Sequence, residues 1–266
     1  MADEQTKTED DRGRWAEFLV CLTFFSRLPV PKVDHDVNMS EAWWAAPLAG
    51  AIIGLVAALV LAFLVGLGMT PFLAAVFAVA TLLVTTGALH EDGLSDVVDG
   101  FGGGATKDRK LEIMRDSRVG SYGAAAIGLS LMARVAALTT LAEAGGWAAA
   151  VSLIVSGAVS RYACVLVPRA LPPAREDGLG HDIGVISSAA MTRGAIACIA
   201  MIVLGWALGV PLFALVFASI ATTGVALAAI SLAKSQVGGY TGDVQGAVQQ
   251  ATEIAFLSVL VMALAR

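Results

Sequence analysis

WWAAPLAGAIIGLVAALVLAFLVGL, residues 43–67, runs 25 positions without one charged side chain. About 20 helical residues at about 1.5 Å each cross a hydrocarbon core of about 30 Å, so this run is long enough to span a bilayer. The rest of the chain has the same character. Of its 266 residues, 57% are hydrophobic and 15% charged. Soluble domains sit nearer about 45–50% and about 25%. Mean hydropathy is +0.77. Further apolar runs lie at roughly 71–90, 121–143, 147–168, 194–210, 211–232 and 246–265. Together they predict an all-α, polytopic transmembrane bundle of about seven spans. A net charge of −5 argues against nucleic acid as a partner, because phosphate contacts need a basic surface.

Residues 1–14 are polar and mixed in charge, lack the basic start of a signal peptide, and are expected to be a disordered tail before a single membrane domain, 15–266. Trp15, Phe18, Leu19, Leu22 and Phe25 recur at helical spacing over a stretch too short to cross, which predicts an interfacial or re-entrant helix ended by Pro29 and Pro31. Gly68 to Pro71, Gly145 to Gly146 and Gly209 to Pro211 read as tight hairpin turns. The longer connections, 1–42, 91–120, 169–193 and 233–245, then share one side. They carry fourteen of the seventeen Lys and Arg residues, so the positive-inside rule makes that side cytoplasmic. Cys21, Cys164 and Cys198 stand alone in apolar runs and read as small hydrophobes.

The chemistry is concentrated in HEDGLSDVVDG, residues 90–100. On a helix, Asp92, Asp96 and Asp99 fall at i, i+4 and i+7, on one face. Three clustered carboxylates repel unless a cation sits among them, and oxygen ligands suit a hard ion such as Mg2+. Gly102, Gly103 and Gly104 follow, then Lys107, Arg109 and Lys110. Glycines let backbone N–H groups approach an anion, and cations nearby can hold phosphate oxygens. Arg118 is a candidate bidentate phosphate clamp, and Arg115 reads as either a substrate contact or a membrane-side anchor. Near the end of the chain, GGYTGDVQG at 238–246 places Asp243 at the mouth of the last span, with Gln250 and Glu253 further along its helix. Two arginines fall inside spans. Arg134 is deep, and a charge there implies a function or a buried pair. Arg161 is close enough to the cytoplasmic end to snorkel.

The run from His90 to Gly104, continuing through LEIMRDSRVGSYG at 111–123, closely resembles cobalamin synthase, the adenosylcobinamide-GDP ribazoletransferase family. The likeness extends to FFSRLPVP at 24–31, AREDGLG at 174–180, and GGYTGD at 238–243 with Gly246 and Ala247. Pro173 stands where a Tyr is expected. The resemblance implies a late step of cobalamin biosynthesis at the cytoplasmic face of the inner membrane. Adenosylcobinamide-GDP is joined to α-ribazole or its 5′-phosphate, GMP is released, and Mg2+ is the cofactor. It implies that Asp92, Asp96 and Asp99, helped by Asp243, hold the metal. One of those carboxylates or His90 takes the hydroxyl proton. Arg27, Lys107, Arg109, Arg115, Arg118 and Arg175 then join the glycines as substrate-binding candidates. Membrane lipid is the surrounding partner, and nothing in the pattern decides between a monomer and a homo-oligomer. A lipid-synthesising CDP-alcohol phosphotransferase shares acid-rich helices, but Asp96-Val97-Val98-Asp99-Gly100 is followed here by Phe101 and three glycines, not Ala-Arg. A transporter would place its polar groups near the bilayer midplane.

Overall fold

A computed structural model describes residues 2–33, 37–178 and 183–264, with the backbone alone for 2–12. The secondary structure is helical: α1 Ala2–Phe25, α2 Met39–Ala42, a 3-10 turn Trp43–Ala45, α3 Ala46–Gly66, α4 Pro71–Thr86, α5 Leu89–Gly103, α6 Lys107–Ile113, α7 Ser121–Ala144, α8 Gly146–Ala170, α9 Ser188–Ala207, α10 Leu212–Val237 and α11 Gly242–Leu264. Among the described residues, six segments are long and apolar enough to cross a membrane: Met39–Gly66, α7, α8, α9, α10 and α11. The number rises to seven if the bent pair α4 and α5 counts as one. The chain is a multi-pass membrane protein. Leu59, Phe63, Val84, Leu129, Ile196, Trp206 and Phe217 all point outward, an arrangement that lipid tolerates and water does not.

The helix boundaries follow from local chemistry. Pro71 opens α4, where a missing N–H costs nothing. Asn38, Thr106 and Ser187 cap α2, α6 and α9 with side-chain oxygens. Gly145 separates α7 from α8, and Gly209 with Pro211 separates α9 from α10. The expected hairpins are therefore present, and ion pairs of Arg115 with Asp177 and of Arg175 with Asp243 join the long connections to one another.

One expectation is corrected. The span read at 71–90 ends at Thr86. Gly87 and then Ala88 take left-handed conformations (φ 67° and 59°), and α5 leaves at 88° to α4. Four acids within its 15 residues separate α5 from the spans. Helix α1 begins at Ala2 and runs through the residues before Trp15. Nothing from Ala2 to Arg12 breaks a helix, since the only glycine before Trp15 is Gly13 and no proline occurs before Pro29. Leu179 and Gly180 of the family-like stretch lie outside the described residues.

α8 is the central helix, flanked by α3, α7, α9, α10 and α11 and packed most extensively on α3. Glycine makes that contact. A Cβ added at Gly50 would lie 2.0 Å from the Gly157 carbonyl oxygen, and one at Gly54 would lie 2.2 Å from that of Leu153. Small residues four apart let backbones touch where no hydrophobic effect drives helices together. Cys21, Cys164 and Cys198 are buried and unpaired, as their apolar contexts imply. Gly157→Ala would place a methyl 2.4 Å from the Gly50 oxygen. It should cost about 1–3 kcal/mol and lower the thermal midpoint in detergent. Gly224→Ala, with open space around it, should leave that midpoint unchanged.

Candidate active site

α5 is held in place at both its start and its side. Arg27 donates its backbone N–H to the Thr85 carbonyl oxygen at 2.7 Å, and its guanidinium lies across Gly87, where a Cβ would come within 2.0 Å of Nε. Arg27 therefore packs against the bend that launches α5. Further along, a Cβ at Gly93 would meet the Asp243 carbonyl oxygen at 2.9 Å, and one at Gly246 would meet the His90 Cα at 3.3 Å. The absence of side chains at Gly93 and Gly246 brings α5 against the first turns of α11, and with it Asp243 to the acidic stripe.

The stripe is divided by its surroundings. Asp92 is exposed, Asp96 half-buried and Asp99 buried. The Asp99 carboxylate accepts the N–H groups of Gly120 at 2.7 Å and Gly123 at 2.9 Å. It caps the N-terminus of α7, whose leading amides lack partners of their own. Each Asp99 oxygen thereby accepts one amide at the start of α7, a bond that neither Asp92 nor Asp96 makes among the described residues. Asp243 joins the remaining acids. It accepts from Arg175 at 3.0 Å and from the Thr241 hydroxyl at 3.0 Å. Burial together with the charges of Asp243, Asp92 and Asp99 pushes the Asp96 carboxyl up to about 7. Among the described residues, no three His, Cys, Asp or Glu side chains form a metal site by themselves. Asp92 and Asp96, with Asp243 beside them, instead make an open set of oxygens short of positive charge. Such a set fits Mg2+, which commonly uses one or two carboxylates and completes its shell with substrate phosphates and water.

Asp92 and Asp243 stand on the wall of a cavity of about 160 Å3 that also includes Phe24, Phe25, Trp43 and His90. The His90 ring stacks on Phe25 with centroids 5.9 Å apart, and its Nε2 is buried with no partner among the described residues. His90 is therefore a wall of the site, and its Nε2 is not presented as a proton acceptor at the surface.

The glycines and cations divide as well. Gly102 and Gly103 belong to the last turn of α5, and the Gly104 N–H bonds back to the Gly100 carbonyl oxygen. Their amides are engaged in the helix, which corrects the reading of an anion cradle. The lack of side chains serves packing instead: Gly102 lies under the Tyr122 ring and Gly104 against the backbone of Lys110. Arg109 pairs with Glu112, Arg115 with Asp177 and Arg118 with Asp116, all at the surface. The Arg118 guanidinium holds the Asp116 carboxyl down at about 2. Lys107 places its Nζ over Gly238, at the loop that leads to Asp243. Of the six predicted cations, Arg175 and Lys107 reach the Asp243 side of the site. Arg27 reaches the bend, and the other three form the rim.

Beneath the acids lies a polar network that the sequence reading did not assemble. Arg134 donates to Glu91 Oε1 at 2.8 Å, with side chains 1% and 4% exposed. Gln250 Nε2 also donates to Glu91 Oε1, at 3.2 Å, and the Ser130 hydroxyl donates to Gln250 Oε1 at 2.7 Å. Gln249 links Gln250 to Ser160 and Glu253. Arg161 is 2% exposed and donates to the Gly157 carbonyl oxygen at 3.3 Å. It does not snorkel, because the crossing of α8 through the middle of the bundle leaves it no path to water. A signal for Glu91 was present in its place beside Asp92, but only packing shows that the two face opposite ways.

A family model described as cobalamin-5-phosphate synthase matches residues 17–261. The chain belongs to this family. It is 43% identical over 248 residues to an adenosylcobinamide-GDP ribazoletransferase of Mesorhizobium japonicum, covering 92% of each chain. It is 44% identical to the protein of the same name from Azorhizobium caulinodans, over 91% of this chain and 94% of that one. With the Xanthobacter autotrophicus relative, also of that name, the identity is 45% over the same shares. No solved structure matches.

Arg134→Met leaves Glu91 charged and unpaired in an apolar interior, and should cost about 3–5 kcal/mol. The double replacement Arg134→Met with Glu91→Leu should regain most of that in thermal unfolding in detergent. Asp99→Ala should lower stability by about 1 kcal/mol through the uncapped α7.

Proposed function

We propose that this protein is an adenosylcobinamide-GDP ribazoletransferase. It joins adenosylcobinamide-GDP to α-ribazole or its 5′-phosphate and releases GMP, working at the cytoplasmic face of the inner membrane. The observation that carries the reading is the meeting of Asp92 and Asp96 of α5 with Asp243 of α11 at the mouth of an aromatic-walled cavity. The names of relatives 43–45% identical over nearly the whole chain support it. The excess of Lys and Arg at the same end of the bundle supports a cytoplasmic orientation.

The reaction moves a phosphoryl group. The ribose hydroxyl attacks the phosphorus attached to the cobinamide arm, the P–O bond to the bridging oxygen breaks, and GMP leaves with that oxygen. Asp92, Asp96 and Asp243 would hold Mg2+, which when bound supplies neutralisation of the diphosphate charge. A carboxylate of this group accepts the hydroxyl proton. Arg175 and Lys107, on the Asp243 side, bind phosphate oxygens, and the rim cations Arg109, Arg115 and Arg118 attract the anionic substrate from solution. Most of the acceleration then comes from positioning and charge. The wall formed by α1 and the 3-10 turn keeps water from competing with the ribose hydroxyl.

Purified protein in detergent, given both substrates, should form the corrinoid product and GMP with Mg2+ and neither product with EDTA. Asp92→Asn and Asp96→Asn should each lower kcat about 100-fold or more while the protein stays folded. Near-full turnover by both variants would sink the metal-site assignment, and absence of product from the folded wild type would sink the reaction.

A further inference from the structure

A cavity of about 230 Å3 lies among α8, α9 and α10, three of the segments apolar enough to span a membrane. Tyr162 and Leu166 of α8, Ile199 and Ile202 of α9, and Ser219 and Thr223 of α10 are on its wall. Ile199 is 59% exposed and Thr223 is exposed, so the cavity is a cleft open to the outside of the bundle. Its hydroxyl groups are already spent. Ser219 and Thr223 donate to the Leu215 and Ser219 carbonyl oxygens of their own helix, at 2.8 and 2.9 Å. Thr222 donates to the Thr252 carbonyl oxygen, and Tyr162 to that of Met191 at 3.2 Å. An occupant therefore meets an apolar surface. A phosphorylated or hydroxyl-rich substrate would lose its water here without recovering hydrogen bonds.

Two cations follow where α8 and α10 run on toward the long connections. Arg169 is seven residues beyond Tyr162 and three beyond Leu166, and Lys234 is eleven beyond Thr223. At about 3.6 residues per turn, each falls near the cleft stripe of its own helix, about 10 Å beyond Tyr162 and about 16 Å beyond Thr223. α8 and α10 stay together over that distance. Ala163 and Val167 of α8 share a buried cluster with Ala226, Ile230 and Ala233 of α10. The Arg169 and Lys234 side chains are exposed, and neither has an ion pair or hydrogen bond among the described residues. Arg109, Arg115 and Arg118 of the rim, by contrast, each have an acid beside them.

We infer that the cleft and the two cations form a binding site for an anionic phospholipid. One acyl chain lies in the cleft against α8, and Arg169 and Lys234 hold the phosphate. The apolar wall at membrane depth and the positive charge beyond it are complementary to one molecule with a hydrocarbon tail and an anionic head. Under the orientation given above, that head stands in the cytoplasmic leaflet. Anionic lipids enrich that leaflet, and basic groups between spanning helices on that side bind their headgroups. α9 packs more on α8 than on α10, so the lipid fills a gap that the protein leaves between neighbouring spans.

Native mass spectrometry of the detergent-solubilised full chain, titrated with phosphatidylglycerol or phosphatidylcholine, reads this site directly. The wild type should bind phosphatidylglycerol about tenfold more tightly than phosphatidylcholine. Arg169→Gln with Lys234→Gln should reduce that preference to about twofold or less. Arg109→Gln with Arg118→Gln removes the same charge from the rim and should leave the preference intact. Thr223→Trp puts a ring into the cleft from an exposed position and should weaken both lipids about tenfold. Thermal midpoints in lipid-free detergent close to that of the wild type report that the variants fold. An unchanged preference in the Arg169 and Lys234 variant overturns the proposal, because those cations then serve only the ends of their helices. Equal loss in the rim variant overturns it as well, since charge anywhere on that face would suffice. Wild-type affinity in Thr223→Trp removes the acyl chain from the cleft and has the same consequence. So does displacement of the lipid by glycerol phosphate, which would make the site one for free phosphate. A lipid-free wild-type dimer that Thr223→Trp dissolves gives the cleft to a second copy of the chain, and likewise overturns the proposal.

Discussion

An ion pair that water cannot reach holds the functional end of this molecule together. Glu91 of α5 and Arg134, midway along α7, meet at 2.8 Å with almost no exposure. Removing either charge from water is expensive, and their attraction offsets this only when the geometry is good and further hydrogen bonds satisfy what is left over. Gln250 supplies one such bond from α11 and is itself fixed by Ser130 and Gln249. Three helices are thereby locked at one height. Because Glu91 and Asp92 are consecutive, fixing Glu91 inward fixes Asp92 outward. The polar network sets the rotation of α5, and the rotation of α5 presents the acids.

Close backbone approach supplies the second constraint. In lipid, apolar side chains gain little by leaving their surroundings, so helices associate through tight packing and polar contacts. Gly50, Gly54 and Gly157 let α3 and α8 touch, and Gly93 and Gly246 do the same for α5 and α11. The second contact matters for chemistry because Asp243 sits at its edge. The bend at Gly87 and Ala88 completes the arrangement by turning α5 out of the line of α4, with Arg27 packed over the turn.

A division of labour follows among residues of one type. Asp92, Asp96 and Asp99 are the same residue type at i, i+4 and i+7 on one stripe, yet it is Asp99 whose oxygens accept the amides of Gly120 and Gly123. The basic residues separate likewise into Arg134 and Arg161 of the core, Arg27 of the bend, Arg175 and Lys107 beside Asp243, and a surface rim.

The sequence by itself determined the class of molecule, because bilayer thickness turns apolar run length directly into a spanning helix. It also determined the hairpin turns through Gly and Pro, and located the acidic helix and Asp243 through their density of oxygen ligands. It could not show that 71–90 breaks at Gly87, since no charged residue interrupts the run before His90 and Arg27, sixty residues earlier, packs over the left-handed turn. Nor could it show that Asp99 is a cap, that the glycine run is helical, or that Arg161 is enclosed. Each of those depends on which group lies across a helix interface. Periodicity fixes which residues share a face, but only packing fixes what that face meets, and the same carboxylate is a ligand or a cap according to its neighbour.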